Sequence, residues 1–304
     1  MAFTAADVKN LREMTGVGMM DCKKALTASD GDMDKAVEYL REKGLAKAAK
    51  KAGRIAAEGV SYALVENGVG ALVEVNCETD FCAKSAPFVA FVKDIAKVVA
   101  DNDPADVDTL MNCKYPGTEL TVSETMPEKV MSIGENLQIR RFVRFAENTS
   151  VGYVHAGGKI GVLVNLAVEG GVDATEIGKN VAMQIAALNP RFLDKSQVDQ
   201  ATLDEEKKIL LVQMSNDPKM ANKPDKVKEG IVAGKMGKFY KENCLLQQEF
   251  VKDNSMDVAQ YIASSAKALG GTITLKDAVR FEKGEGIEKK QENFAEEIAK
   301  QLGK

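Results

Sequence analysis

The sequence has no tryptophan and a single histidine in 304 residues, and aromatic residues make up only 6% of it. Base-stacking platforms for single-stranded nucleic acids would therefore have to be built from few side chains. Any catalytic scheme that pairs histidine with serine or cysteine would depend on His155 alone. Lys and Arg number 41 against 45 Asp and Glu, and the resulting net charge of −4 argues against a chain-wide nucleic-acid-binding surface.

Long apolar runs are also missing. No stretch approaches the roughly 18 uninterrupted apolar residues of a membrane span, so no membrane association is predicted. The first residues lack the apolar core of a signal peptide. The five cysteines are scattered and form no CxxC pair, a usage typical of reduced thiols. We therefore expect a cytoplasmic protein.

Motifs for metals and phosphates are weak. Cys77 and Cys82 flank two acidic residues, but structural zinc usually takes four Cys or His ligands, so we predict neither a metal site nor a cofactor. Gly152–Lys159 approaches a phosphate loop, yet its spacing is one residue too long and its context is a hairpin. A thiol or metal enzyme that uses Cys77, Cys82 and His155 stays as a minor alternative.

Residues 1–54 predict a small helical module. Apolar residues recur at helical spacing in three short segments, which are separated by Gly16 and by Asp30–Gly31. The stretch Arg41–Arg54 contains six basic residues and one acidic residue. It is either a solvated linker helix or a basic patch for an acidic partner or RNA.

Strand patterns begin at about residue 55. Two alternating segments flank Asn67–Gly68, a dipeptide typical of a β-hairpin turn. A helix is expected from about Ser85 to Ala100, and a further strand over Ile139–Phe145. Residues 101–127 are interpreted as rich in loops.

An internal repeat organises the rest of the chain. Val60, Tyr62 and Gly70 recur at an offset of 91, and Val143–Phe145 recurs at an offset of 136. The sequence thus predicts an α+β fold with two similar halves, 55–146 and 147–283. The second half carries a helical-hairpin insertion at about 195–242, and residues 284–304 form a terminal amphipathic helix.

The segment after the second predicted strand runs from Asn76 to Lys84. Either Thr79 or Asp80 can cap a helix, and Phe81 is then an ordinary core residue. Alternatively, Asp80 and Phe81 form an exposed corner that inserts into a partner.

Four segments carry a family resemblance: Leu11–Leu26, Glu74–Phe81, Tyr153–Val164 and Arg280–Lys289. They resemble signatures of bacterial translation elongation factor Ts, in the expected order and across nearly the whole chain. Cys82 stands where that family usually has valine, and Ala156 stands where glycine often follows the histidine.

The resemblance implies a guanine-nucleotide exchange factor that binds elongation factor Tu, both with GDP and without nucleotide, and makes no bond itself. It implies a ubiquitin-associated-like first module, two α+β subdomains with antiparallel sheets, a helical hairpin and a C-terminal helical module. The hairpin would contact another part of the partner or mediate dimer formation.

The resemblance also assigns residues to three contacts. The segment that disturbs the magnesium subsite comprises Thr79, Asp80, Phe81 and Cys82. A second contact, directed towards the phosphate loop of the partner, comprises His155, Ala156 and Gly157. The contact of the first module comprises Arg12, Thr15, Gly16, Val17, Gly18, Met19 and Met20. The rival interpretation is an RNA-binding protein that uses Arg41–Arg54 with Arg140, Arg141 and Arg144, but no direct nucleic-acid contact is expected.

Overall fold

The computed structural model describes residues 3–221 and 223–288. It begins with the three predicted helices, which are confirmed: α1 (Ala5–Thr15), α2 (Met19–Ala28) and α3 (Met33–Lys51). A capping box between Thr4 and Asp7 starts α1, and Gly16 ends it in the left-handed conformation. The helices share an apolar cluster that also includes Met131 from a later helix.

The first sheet has three antiparallel strands in chain order: β1 (Glu58–Glu66), β2 (Val69–Cys77) and β3 (Gln138–Phe145). Asn67 and Gly68 connect β1 to β2 and both have positive φ, as a type I′ turn requires. Two helices follow β2: α4 (Asp80–Lys84) and α5 (Ala86–Asn102). The apolar face of α5 covers this sheet through Phe88, Phe91 and Ile95.

Residues 101–127 are rich in loops as interpreted, with non-helical segments at 103–106 and 112–121, but the interpretation missed the regular structure between and after them. The structure has two helices there, α6 (Val107–Met111) and α7 (Val122–Ile133). Asp106 caps α6, and a capping box between Thr121 and Glu124 starts α7. Pro127 lies inside α7 without ending it, because the cap and the buried face of the helix outweigh one lost backbone hydrogen bond.

The second sheet repeats the first in topology. Its antiparallel strands are β4 (Thr149–His155), β5 (Ile160–Glu169) and β8 (Thr272–Glu282), again with the middle strand second in the chain. The helices α8 (Thr175–Leu188) and α12 (Val258–Ala268) pack on it. The two offsets seen in the sequence therefore relate strands in equivalent positions. Leu72 and Leu163, which are equivalent at the offset of 91, are both fully buried between the sheets.

A helical hairpin separates α8 from the last strands. It consists of α9 (Gln200–Asn216), the short α10 (Pro218–Ala221) and α11 (Asp225–Asn243), and two short strands follow, β6 (Glu249–Phe250) and β7 (Asp253–Asp257). The hairpin has its own apolar cluster, which includes Leu210, Met214 and Phe239. The mixture of helices and antiparallel sheets is an α+β fold.

The division into modules at residues 54, 146 and 283 stays a prediction. The predicted terminal helix falls mostly on residues 289–304, which lie outside the described part of the chain. Among the described residues, no helix is both long and apolar enough to cross a membrane.

Candidate functional site

The corner between β2 and α4, residues 78–81, is fixed by a distant carboxylate. Glu135 accepts hydrogen bonds from the backbone N–H groups of Glu78 and Thr79, each at 2.9 Å, through Oε2. The Thr79 hydroxyl donates to Oε1 of the same carboxylate at 2.5 Å. Thr79 also caps α4, since its Oγ1 accepts from the N–H of Cys82 at 3.1 Å. Glu135 thus fixes the backbone before Phe81, and the Thr79 cap fixes the start of α4 that carries Phe81.

Phe81 projects from this fixed corner into solvent. Its exposed fraction is 82%, the highest among the exposed large apolar side chains of the described chain. The interpretation of Phe81 as a core residue was therefore wrong. Water around an unpartnered ring of this size is unfavourable, and exposed aromatic residues on ordered elements are typical of binding surfaces.

Asp80 lies beside Phe81 and is half-buried. Its carboxylate accepts a hydrogen bond from Lys84 Nζ at 2.7 Å, one helical turn away. That hydrogen bond and the charge of Lys84 lower the pKa of Asp80 below its usual value, so the carboxylate is ionised near neutral pH. The corner therefore offers an apolar ring next to a negative charge.

Cys82 lies below the corner, not on it. Its exposed fraction is 7%, and Cys77 at the end of β2 is fully buried. A hydrogen bond with Cys77 and burial together raise the pKa of the Cys82 thiol. Of the four residues assigned to this segment, three are at the surface and Cys82 supports them from beneath.

The turn after β4 carries the second group of predicted residues. Ala156, Gly157 and Gly158 all have positive φ, of 47°, 66° and 95°. A non-glycine residue with positive φ is uncommon, so the alanine at 156 adopts the backbone conformation that glycine provides more easily. His155 is exposed, and its Nδ1 is 3.0 Å from the hydroxyl of Tyr153.

The two segments lie at the same end of the first hairpin. A Cβ added to Gly158 would lie 2.6 Å from Val60, so the His155 turn packs against the start of β1. Glu58 in β1 pairs with Cys77, the residue that leads into the corner. The fold therefore brings the neighbourhood of Phe81 and the His155 turn to one end of the molecule, although they are far apart in sequence.

The predicted contact of the first module lies at the turn between α1 and α2. Met19 and Met20 are exposed, whereas Val17 is buried and Gly16 has φ of 67°. The Thr15 hydroxyl donates to the Leu11 carbonyl at 2.7 Å, and so stabilises the end of α1. A groove of about 720 Å³ runs from this turn to α7 and α5.

Glu135 is a site residue that the sequence reasoning missed. It follows Gly134, which ends α7 with φ of 92°. Its carboxylate and the sulfurs of Cys77 and Cys82 lie within 4.8 Å of one another, so these three residues could hold a metal ion. His155 does not belong to this group, which removes the basis for a thiol or metal enzyme that would combine the two cysteines with the histidine.

The basic residues of the RNA-binding interpretation are engaged within the chain. Arg140 and Arg141 form ion pairs with Glu74 at 2.9 and 2.6 Å, and Arg144 pairs with Asp103 at 3.0 Å. In the stretch 41–54, three basic residues pair with carboxylates, namely Arg41 with Glu128, Lys47 with Asp21, and Arg54 with Glu78. These contacts weaken the case for an RNA surface.

The fold and the site together define a class of α+β protein whose notable surface feature is an aromatic corner. Its single histidine contacts a tyrosine hydroxyl and belongs to no group with the cysteines in the described chain. An exposed aromatic side chain on an ordered corner is typical of surfaces that bind a partner.

Comparison with known proteins specifies the family. The family model for elongation factor Ts matches residues 78–285. The chain is 50% identical over 306 aligned residues to elongation factor Ts of Clostridium botulinum strain Eklund 17B, with 99% of each chain covered. It is 50% identical to the protein of the same name from Clostridium kluyveri over 305 residues, with 98% coverage of each, and 49% identical to that of Clostridium perfringens, with 99% coverage of each. The chain belongs to the elongation factor Ts family of translation elongation factors.

Proposed function

We propose that this protein binds elongation factor Tu in its GDP-bound form and promotes the release of GDP, so that GTP can bind. The observation that carries this proposal is Phe81, which is 82% exposed on a corner held by Glu135. Because the backbone that carries Phe81 is already ordered, less conformational entropy is lost when the ring enters a pocket than if the segment had to order on binding. Phe81 is suited to act as a wedge for this reason.

The wedge would act on the groups that hold the nucleotide. GDP is bound mainly by backbone donors at a helix N-terminus and by magnesium. Insertion of Phe81 and Asp80 between elements of the partner would displace the magnesium subsite. The negative charge of Asp80 beside the ring would also compete for a cation in that region.

The other predicted contacts would add to the same effect. The turn of His155, Ala156 and Gly157 lies at the same end of the molecule as the corner and would press towards the phosphate subsite. The turn between α1 and α2 would bind a further face of the partner. Among its described residues, the hairpin has large exposed apolar side chains at Ile209, Leu211, Val212 and Val227. It would contact another part of the partner or a second copy of this chain.

The family assignment supports a finer division of the chain as well. The three helices over 1–54 would form a ubiquitin-associated-like module, and the two sheets would form the paired core subdomains. The factor makes and breaks no covalent bond under this proposal, because it changes only the relative affinities of its partner for nucleotide and for itself.

The size of the acceleration determines how much coupling free energy the interface must supply. Each tenfold loosening of GDP needs about 1.4 kcal/mol of coupling. A single aromatic anchor at the centre of an interface contributes about 2 kcal/mol or more when it is truncated. One wedge with two secondary contacts can therefore supply a coupling free energy of the order that a large acceleration of GDP release requires.

The test is the release of a fluorescent GDP analogue from elongation factor Tu, followed with and without this protein. Phe81→Ala should slow release by roughly 30-fold, which corresponds to about 2 kcal/mol. The matched control is Leu269→Ala, an exposed apolar residue after α12 with an exposed fraction of 52%. GDP release at nearly the wild-type rate with Phe81→Ala would refute the wedge. Failure of the wild-type protein to accelerate GDP release would refute the proposed activity itself.

A further inference from the structure

We propose that Cys77, Cys82 and Glu135 form a binding site for a thiophilic divalent cation of the zinc class, directly beneath the Phe81 corner. The two sulfurs and a carboxylate oxygen lie within 4.8 Å of one another. Both cysteines are free thiols, and both are buried. The three groups converge from different elements: the end of β2, the first turn of α4 and the segment after α7.

The spacing suits a tetrahedral ion. Zinc binds thiolate sulfur at about 2.3 Å and carboxylate oxygen at about 2.0–2.2 Å, which places two sulfur ligands roughly 3.8 Å apart. Ligand atoms already within 4.8 Å need only a small inward movement to reach this arrangement. A set of two sulfurs and one oxygen selects zinc and related soft ions over magnesium or calcium, which prefer oxygen ligands. Three protein ligands leave the fourth position to water.

Glu135 can bind a cation without releasing the corner. Its Oε2 accepts two backbone N–H groups, and its Oε1 accepts from the Thr79 hydroxyl. A hydrogen bond between this carboxylate and the Cys82 thiol would be given up when the thiol loses its proton to bind a metal ion. A carboxylate oxygen has two lone pairs, so one site on Oε1 is available to a metal ion. The hydrogen bonds from Glu78 and Thr79 would then orient this ligand, as outer hydrogen bonds commonly do in metal sites.

Occupancy would stiffen the corner. The two cysteines flank the segment that presents Phe81, and the third ligand holds the backbone of that same segment. A cation would therefore connect β2, α4 and the segment after α7 across the corner. Binding converts two thiols to thiolates and releases two protons for each ion bound, which makes affinity fall as the pH falls.

This inference goes beyond the proposed exchange activity and is tested on the protein alone. Reduced full-length protein is titrated anaerobically with Zn²⁺ and with Co²⁺ as separate probes. We expect one ion per chain, a thiolate-to-cobalt charge-transfer band, and protection of two thiols from a thiol reagent. Failure of both ions to bind stoichiometrically would overturn the proposal.

Variants locate the ion. Cys82→Val, which keeps a similar apolar volume, should abolish the cobalt band, and Glu135→Gln should weaken binding at least tenfold. Cys113→Ser is the matched control, because Cys113 is outside the group of three and should leave binding unchanged. A cobalt band that persists in Cys82→Val would place the ion elsewhere and refute the site. The proposed site would also be refuted if the reduced protein binds no metal and exactly two of its thiols form a disulfide in air.

Discussion

At the scale of single residues, the acidic side chain of Glu74 in β2 is the one most completely withdrawn from water in the described part of the chain. Its side chain has an exposed fraction of 0%, and it accepts hydrogen bonds from Arg140 and Arg141 in β3. The backbone N–H of Gly284 donates to the same carboxylate at 2.8 Å. A buried carboxylate is stable only when it is paired and hydrogen-bonded, and these contacts supply both conditions.

Glu74→Gln should therefore destabilise the protein by about 2–3 kcal/mol, since it removes the carboxylate paired with Arg140 and leaves Arg141 with Glu285 as its remaining acidic partner. This loss is smaller than the roughly 3–5 kcal/mol typical of fully buried pairs, because both arginines are partly exposed. Urea unfolding measures the change. Glu119→Gln is the control, because Glu119 pairs with Lys114 at the surface with its side chain 92% exposed, and it should cost less than about 0.5 kcal/mol. Equal losses in the two variants would contradict the network.

At the level of single residues, the sequence predicts the exposed residues of the site better than the residue that fixes their backbone. The motif around Phe81 can be recognised from contiguous residues, and so can the turn at His155. Glu135 cannot, because its role depends on a contact between positions 56 and 57 residues apart. The local sequence pattern also does not decide whether Phe81 lies in the core or in solvent, since both alternatives place it in the first turn of a helix.

At the scale of elements, the two sheets meet through glycines that are related by the repeat. A Cβ at Gly161 would lie 2.7 Å from Leu72, and a Cβ at Gly70 would lie 2.9 Å from Leu163. Positions 70 and 161 differ by the same offset as positions 72 and 163. Each sheet thus provides a leucine that fills the space left by a glycine of the other sheet, and this mutual fit explains why both leucines are fully buried.

Gly161→Ala should destabilise the protein by about 1–3 kcal/mol, because an added methyl group overpacks this interface. The control is Gly237→Ala in α11, where nothing lies within 4 Å of an added Cβ. That substitution should stabilise the helix by up to about 1 kcal/mol. Thermal unfolding compares the two, and a neutral Gly161→Ala would mean that the sheets can separate slightly without cost.

The base of the hairpin is closed by Asp194. Its carboxylate accepts from the backbone N–H of Ser196 at 2.9 Å and from Gln247 at 2.8 Å, which connects the chain before α9 to the chain after α11. The hydrogen bonds from Ser196, followed by that from Gln247, lower the pKa of Asp194 from 3.8 to about 2. The ionised carboxylate is thus a structural part of this closure.

The pKa shift gives this contact a defined pH dependence. Because the pKa of Asp194 is lower in the folded state than in the unfolded state, its stabilising contribution is complete above pH 3.8 and is lost as the pH falls towards about 2. Asp194→Asn should therefore lower the unfolding free energy at pH 6, and the difference from the wild type should shrink over that acidic interval. A difference that is independent of pH would indicate that the charge has no role in the closure.

Element prediction from sequence succeeds where local signals agree. The hairpin at Asn67–Gly68 and helices α1–α3 have clear turn and capping residues, and the structure confirms them. Helices α6 and α7 were missed because α6 has five residues and α7 contains Pro127. Helix α6 packs on β3 and α7, and α7 packs on α3 and α5. These tertiary contacts stabilise both helices and cannot be read from a local sequence pattern.

At the scale of the whole molecule, the internal repeat is the feature that the sequence predicts most fully. Few identical residues recur, yet the strands at both offsets occupy equivalent positions in the two sheets. The packing of one sheet on the other could not be predicted, because it depends on the shape of both faces. The position of the His155 turn at the same end of the first hairpin as the Phe81 corner follows from that packing, so this arrangement is a property of the assembled fold.

The proposed exchange activity predicts a closed thermodynamic relation for the complex as a whole. If this protein lowers the affinity of elongation factor Tu for GDP by some factor, bound GDP must lower the affinity of this protein for elongation factor Tu by the same factor. Calorimetric titration can measure all four affinities, and the two ratios should agree. In Phe81→Ala both ratios should fall together by roughly 30-fold, because one wedge produces both effects. If Phe81→Ala weakens binding equally with and without GDP, both ratios stay at the wild-type value. Phe81 is then only an adhesive contact, and the coupling must arise elsewhere, with the His155 turn as the next segment to alter.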